Sequence, residues 1–252
     1  MPPNLPNFFK TNGHLNNWMS YSVRATDLAA AQAALDSDID SFFLNGLISF
    51  SSSISSLRKN NFSWAFIQSY YSIFFFAKAY TGIKGYSIIY KDKTPLGIKL
   101  QTGEKFEKLS GNSHNVVFAQ FKKHLHYDAL LTSTIDNEHP LDWFRKGREA
   151  INYKTNPLPD PLPPISLFKY EKDLRKWLSI YLNDSEHTYT FDPSHCYVSY
   201  PIKLFSKMFD HYEQNNKTNI LLTEEILNHL KENLADDTGP IAPFLIRLKK
   251  IS

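Results

Sequence analysis

The chain has 252 residues, of which 42% are hydrophobic, 21% charged and 15% aromatic, and its formal net charge is +3 at pH 7. This apolar fraction can build a packed core, which excludes general disorder, and no apolar run approaches the roughly 20 residues that span a bilayer. Cys196 is the single cysteine, which excludes an internal disulfide and a cysteine-based zinc site within the chain. Together with an N-terminus that lacks the pattern of a secretory signal, these features favour a cytoplasmic protein.

The first half of the chain predicts an arm followed by long helices. Residues 1–25 are rich in proline, asparagine and aromatic residues, and we expect an N-terminal arm. Alanines followed by an apolar stripe predict a helix over 27–57. A second helix, over 63–80, has aromatic residues on several faces, as a central bundle helix does. Its stripe follows helical spacing through Ile67, Tyr70, Tyr71, Phe74, Phe75 and Lys78.

The middle of the chain interrupts and then resumes the helical pattern. We predict an inserted loop or a small β-hairpin over about 84–111, where β-branched and aromatic residues alternate around Pro95 and Gly97. A third helix starts near residue 113 and a fourth covers 141–152. The prolines of 156–164 predict an extended connector, because proline lacks the amide donor of a helix. A fifth helix follows over 165–182.

The remaining residues, 184–252, are predicted to form a C-terminal helical extension. Pro201 is suited to the first turn of a sixth helix, and Thr223 to the N-cap of a seventh. Residues 245–251 are expected to form a basic terminal helix or tail. The fold class is therefore all-α, divided into an N-terminal arm (1–25), a helical bundle (26–183) and the extension.

Three segments occur in an order that resembles the HEPN-domain superfamily, above all its antitoxin-like, defence-associated branch. They are SWAFIQSYYSIFFFAKAYTGIKG, GNSHNVVFAQFKKHL and FRKGREAINYKTNPLP. The matching positions are Tyr70, Tyr71 and Phe74, then Ser113, His114 and Val117, then Arg148, Ile151, Asn152 and Tyr153. The resemblance covers about residues 26–183. It implies a HEPN-like up-down helical bundle that operates in a prokaryotic defence or toxin–antitoxin setting.

One departure from the family pattern concerns catalysis. Active HEPN ribonucleases share an R-x4-6-H motif, and no arginine of this chain has a histidine at that spacing. Cleavage of RNA through its 2′-hydroxyl needs a group that exchanges a proton near pH 7, which histidine does and arginine does not. We therefore expect a non-catalytic binding subunit that acts through dimerisation or a protein partner, rather than an enzyme.

Two alternatives remain open. In the first, the chain is a divergent metal-independent endoribonuclease, in which Arg148 binds the phosphate and the proton is handled by Tyr153 or by a histidine from elsewhere, either His114 or one from a dimer mate. In the second, it is a structural subunit of a larger complex. The structural alternative for Arg148 itself is a hydrogen bond to a carboxylate or carbonyl inside the bundle, with Tyr153 packed nearby.

A basic face is the candidate nucleic-acid interface. If the third and fourth helices are neighbours, five cations could meet RNA or DNA phosphates there: Lys122, Lys123, Arg145, Lys146 and Arg148. A solvated helix surface explains the same residues. No cofactor motif and no metal-ligand spacing is present in the sequence, so we predict neither a cofactor nor a metal, and no membrane contact. The adjacent pair His195 and Cys196 is a weak indication of thiol chemistry.

Overall fold

The structure, a computed structural model, describes residues 4–126, 128–154, 160, 168–214 and 223–234, without the side chains of 168–175. The described residues are mostly helical and include one three-stranded antiparallel sheet, which confirms the predicted helical character. None of the described helices is long and apolar enough to cross a membrane. The helices are α1 (Asn4–Thr11), α2 (Ala25–Arg58), α3 (Phe62–Ile83), α4 (Ser113–His124), α5 (Pro140–Tyr153), α6 (Phe168–Asn183), α7 (Cys196–Gln214) and α8 (Glu224–Leu234).

The chain divides into two compact units that are both discontinuous in sequence. The first unit contains residues 1–43 and 77–126, and the second contains residues 44–76 and 127–252. The long helices α2 and α3 contribute residues to both units. The predicted division into arm, bundle and extension is a different partition of the chain, and it stays a prediction.

In the first unit, the predicted arm contains a helix, α1. Leu5 and Phe9 lie four residues apart on one face of α1 and are both fully buried. The carboxylate of Asp38 on α2 accepts hydrogen bonds from the backbone amides of Asn4 (2.6 Å) and Leu5 (3.0 Å). These amides have no partner within the helix, so Asp38 acts as a cap supplied from a distant part of the chain.

The insertion forms the sheet of the first unit. Strands β1 (Tyr86–Lys91) and β2 (Thr94–Lys99) pair as an antiparallel hairpin, which is one of the two predicted forms of the insertion, and β3 (Glu107–Lys108) adds to β2. Asp92 lies in the turn between the two strands and has a φ of 53°, in the left-handed region. A Cβ on Gly97 would lie 1.7 Å from the Tyr86 hydroxyl oxygen, so only glycine lets that ring cross β2.

Helices α4 and α5 begin at side-chain caps. Asn112 precedes α4, and its side chain accepts a hydrogen bond from the amide of Asn115. His139 precedes α5 in the same way, bonded to the amide of Leu141. A single 3-10 turn, Ala129–Leu131, lies between the two helices. The predicted third and fourth helices are thereby confirmed.

The later predictions have mixed outcomes. Helix α6 confirms the predicted fifth helix, and the Thr223 hydroxyl accepts a hydrogen bond from the Ile226 amide at the start of α8. The predicted connector, 156–164, lies outside the described residues except for Asp160, whose carboxylate accepts a hydrogen bond from the Ser63 amide. The predicted basic tail, 245–251, also lies outside them.

Helix α7 starts earlier than the sequence predicts and has Pro201 in its interior, so the prediction that Pro201 occupies the first turn was wrong. A proline at this position removes the amide that would bond to the carbonyl of Tyr197 four residues before it. The hydroxyl of the fully buried Ser69, on α3, donates a hydrogen bond to that same carbonyl. The helix therefore continues through the proline because a neighbouring helix supplies the missing donor.

Because the Ser69 hydroxyl replaces the donor that Pro201 lacks, substitutions of these two residues should have coupled effects on stability. In Ser69→Ala the Tyr197 carbonyl is left buried without a donor, and we expect the free energy of unfolding in urea to fall by about 1 to 3 kcal/mol. In Pro201→Ala the helix regains its own donor, so Ser69→Ala should cost clearly less in that background. Ser206→Ala is the matched control, because its hydroxyl bonds to the Ile202 carbonyl within the same helix. Equal costs in both backgrounds would contradict this account.

Candidate functional site

Arg148 lies against two tyrosines of α3 in the second unit. Its Nη2 donates a hydrogen bond to the Tyr71 hydroxyl at 3.4 Å. Its guanidinium carbon is 5.6 Å from the ring centroid of Tyr70 and 5.8 Å from that of Tyr71, which is within cation–π range. Arg148 belongs to the third of the three segments that resemble HEPN domains, and the two tyrosines belong to the first. These two segments therefore meet here.

A glycine lets α5 approach α3 closely enough for this contact. A Cβ on Gly147 would lie 2.4 Å from the end of the Phe66 ring, so a larger residue would force the two helices apart. The Phe66 ring also contacts the rings of Trp143 and Phe144, at centroid distances of 5.7 and 5.9 Å. Arg148 follows Gly147 directly and is thereby held beside the tyrosines.

The electrostatics of this cluster hold Arg148 and Tyr70 in fixed protonation states. Burial lowers the pKa of the Arg148 guanidinium, but the Tyr71 hydrogen bond and the neighbouring tyrosines outweigh it, and the net direction is upward. Burial raises the pKa of the Tyr70 hydroxyl well above its ordinary value, although Arg148 opposes this. The arginine thus stays charged and Tyr70 stays neutral near pH 7, so neither exchanges a proton there.

Tyr153 and His114, the other two catalytic candidates, are placed differently. Tyr153 is 76% exposed at the end of α5. It is five positions from Arg148, which places the two about 140° apart around the helix axis. His114 is the second residue of α4 and belongs to the first unit, whereas Arg148 belongs to the second. Among the described residues, the hydrogen-bond partner of Arg148 is Tyr71 and not a histidine.

The five predicted nucleic-acid-binding cations are divided between the units. Lys122 and Lys123 lie on α4 in the first unit, and Arg145, Lys146 and Arg148 lie on α5 in the second. A shared basic face formed by both helices stays a prediction.

Three of these cations form ion pairs. They are Lys123 with Glu107 at 3.1 Å, Arg145 with Glu149 at 3.0 Å, and Lys146 with Glu138 at 2.8 Å. Pairs at a protein surface contribute little stability and are screened by salt. A phosphate could therefore displace these carboxylates, but the positive charge of each of the three cations is already balanced by its partner.

The remaining candidate groups of the second unit are structural. Burial raises the pKa of the Cys196 thiol well above its ordinary value, which makes it a poor nucleophile. The neighbouring His195 uses Nδ1 in a hydrogen bond with the Tyr181 hydroxyl inside a cluster of aromatic rings. Within the described part of the chain, no group of three or more His, Cys, Asp or Glu side chains could hold a metal ion.

The partner of Arg148 is neither the carboxylate nor the carbonyl that the structural alternative predicted. It is a tyrosine hydroxyl together with the faces of two tyrosine rings. Both tyrosines were already singled out, but helix periodicity does not show which residue faces them. Comparison with protein-family models, with curated proteins and with solved structures finds no match to the chain.

The Arg148 contacts predict an effect on stability. Arg148→Ala removes two cation–π contacts and one hydrogen bond, so we expect urea unfolding to show a loss of about 1 to 2 kcal/mol. Arg148→Lys should recover little of it, since an ammonium lacks the planar guanidinium. Arg145→Ala, which removes a partly exposed i,i+4 ion pair on the same helix, should cost less than about 0.5 kcal/mol. A loss of similar size in Arg145→Ala and Arg148→Ala would contradict this structural role.

Proposed function

We propose that the chain is a non-catalytic, HEPN-like binding subunit of a prokaryotic defence or toxin–antitoxin type system. In this proposal it works in the cytoplasm as a homodimer or with a protein partner, and nucleic acid is a further possible ligand. The single observation that carries the proposal is the position of Arg148 between the two tyrosines of α3.

The placement of Arg148 supports a structural rather than a catalytic role. One of its nitrogens bonds to Tyr71, and its Nε is buried without a hydrogen-bond partner among the described residues. A guanidinium held in this way presents less of its donor set to a phosphate than an exposed one would. Cleavage also needs a proton acceptor near pH 7, and neither Arg148 nor Tyr70 provides one.

The same geometry supports the HEPN resemblance. The tyrosine pair and the arginine belong to two of the three segments on which the resemblance rests, and they come together in a helix-to-helix contact of the second unit. A contact of this kind stabilises the fold. It is therefore expected to persist in a chain that shares the architecture of a family but not its catalytic activity.

An RNA cleavage assay tests the absence of catalysis. The purified full chain, incubated with end-labelled single-stranded RNA in EDTA, should cleave no more than a mock preparation. The variants Arg148→Ala, Tyr153→Phe and the control Arg145→Ala should give the same result. Cleavage by the native chain that is lost in Arg148→Ala but kept in Arg145→Ala would overturn the proposal and establish the ribonuclease alternative.

Light scattering on a gel-filtration column tests the dimer. The chain has a mass of 29.1 kDa, and the homodimer version of the proposal predicts a species of twice that mass at micromolar concentration. A monomer under these conditions would reject self-association. A partner would then have to co-purify with the tagged chain from its native cell in a fixed stoichiometry, and failure to find one would reject the binding-subunit proposal.

A further inference from the structure

The segment between α3 and α4, residues 84–108, carries the excess positive charge of the chain. It contains six lysines and three acidic residues, and this excess equals the net charge of +3 of the whole chain. Five of the lysines form no ion pair with any residue that the structure describes, and four of these five are exposed. The five are Lys91, Lys93, Lys99, Lys105 and Lys108.

Three cations on α4 and α5 differ in this respect. Lys123, Arg145 and Lys146 each have a carboxylate partner at a distance between 2.8 and 3.1 Å. A phosphate has to displace that carboxylate before it gains the full attraction of the cation. An ammonium without such a partner gives up only water. The unpaired lysines of the segment are therefore better placed to attract a polyanion.

Three of the unpaired lysines lie at the turn end of the β1–β2 hairpin. The register pairs Lys91 with Thr94, and Leu96 with Lys108, so Lys91 and Lys108 project from the same face of the sheet. Their strands, β1 and β3, lie on either side of β2, and adjacent strands are about 4.8 Å apart. Lys93 is in the two-residue turn that joins β1 to β2.

An accessible aromatic ring lies beside these cations. Tyr90 precedes Lys91 on β1, projects from the opposite face of the sheet and is 40% exposed. Bases stack on exposed aromatic rings, while neighbouring cations hold the backbone phosphates of the same strand. In a duplex the faces of the bases are covered by their neighbours, so this combination is typical of a surface that binds single strands.

The acidic residues of the segment offset its charge only in part. Glu107 is already paired with Lys123, and Glu104 is on the loop before β3. Asp92 shares the turn with Lys93, so the turn end keeps an excess of positive charge.

We propose that the hairpin tip, defined as Tyr90, Lys91, Lys93 and Lys108, binds single-stranded nucleic acid. The three ammonium groups contact backbone phosphates, and the Tyr90 ring stacks on one base. Every nucleotide has a phosphate and a base face, so this binding does not depend on sequence. The inference rests on the part of the proposed function that includes nucleic acid as a ligand, and it places the contact on the sheet instead of on α4 and α5.

Fluorescence anisotropy of the purified full chain with labelled oligouridine of about 20 nucleotides tests the proposal. Binding should saturate at about 50 mM sodium chloride and weaken steeply towards 200 mM, because phosphate contacts release counterions. The triple variant Lys91→Ala, Lys93→Ala, Lys108→Ala should lose at least about tenfold in affinity. Its slope of log affinity against log salt should fall by about 2, since each phosphate contact to a single strand contributes about 0.7.

The aromatic contact has its own test. Tyr90→Ala should weaken oligouridine binding by about five- to tenfold, because one stacked base is lost. Tyr90→Phe keeps the ring and should bind as the native chain does. A duplex of the same length should bind more weakly than the single strand at equal salt.

A matched control separates the hairpin tip from charge in general. The triple variant Lys122→Ala, Lys123→Ala, Lys146→Ala removes the same number of charges from α4 and α5, and its affinity should change by less than about threefold. Circular dichroism of each variant establishes that it is folded.

Several results would overturn the proposal. They are the absence of saturable binding by the native chain at about 50 mM salt, native affinity in the hairpin-tip triple variant or in Tyr90→Ala, and an equal loss in the control variant. Binding to phosphatidylserine vesicles but not to oligouridine would also overturn it, in favour of a membrane surface. A chain that dimerises but binds no oligouridine rejects this inference alone, whereas RNA cleavage lost in Arg148→Ala rejects the proposed function alone.

Discussion

A helix that is buried over most of its circumference has to be enclosed by several neighbours, and α3 imposes this requirement on the chain. Its buried side chains include Ile67, Tyr70, Phe76 and Ala79, which spread over about two thirds of the circumference and so exceed a single face. Enclosure also removes water from the polar groups of the helix and of its neighbours. Each such group then needs a partner inside the protein, because an unpaired buried donor or acceptor is costly.

Serine hydroxyls meet much of that need in the second unit. Ser69 donates to the Tyr197 carbonyl, Ser72 to the Gly46 carbonyl, and Ser53 of α2 to the Ala65 carbonyl of α3. These side chains are small, so the helices can approach closely while their carbonyls gain an additional donor. The interior proline of α7 is tolerated for this reason. Ser53, which lies in the serine-rich last third of α2, in this way serves the packing of α2 against α3.

In both units a cation contacts aromatic rings at α3. In the second unit Arg148 meets Tyr70 and Tyr71, and in the first unit Lys78 meets Phe42. The consequences differ because the two cations have different chemistry. Arginine remains charged under all ordinary conditions, so its contacts serve the fold, whereas burial lowers the pKa of the Lys78 amine to about 8.

Local patterns in the sequence determined the helical class, the approximate bounds of α2 to α6, the hairpin and the Thr223 cap. They did so because periodicity, proline and capping residues act within a few positions of one another. The stripe of α3 even included Lys78, but spacing alone could not show that this lysine would lie over Phe42. Only the tertiary structure decided α1, the continuation of α7 through Pro201 and the partner of Arg148. In each case the deciding group comes from elsewhere in the chain: the Asp38 carboxylate, the Ser69 hydroxyl and the Tyr71 hydroxyl.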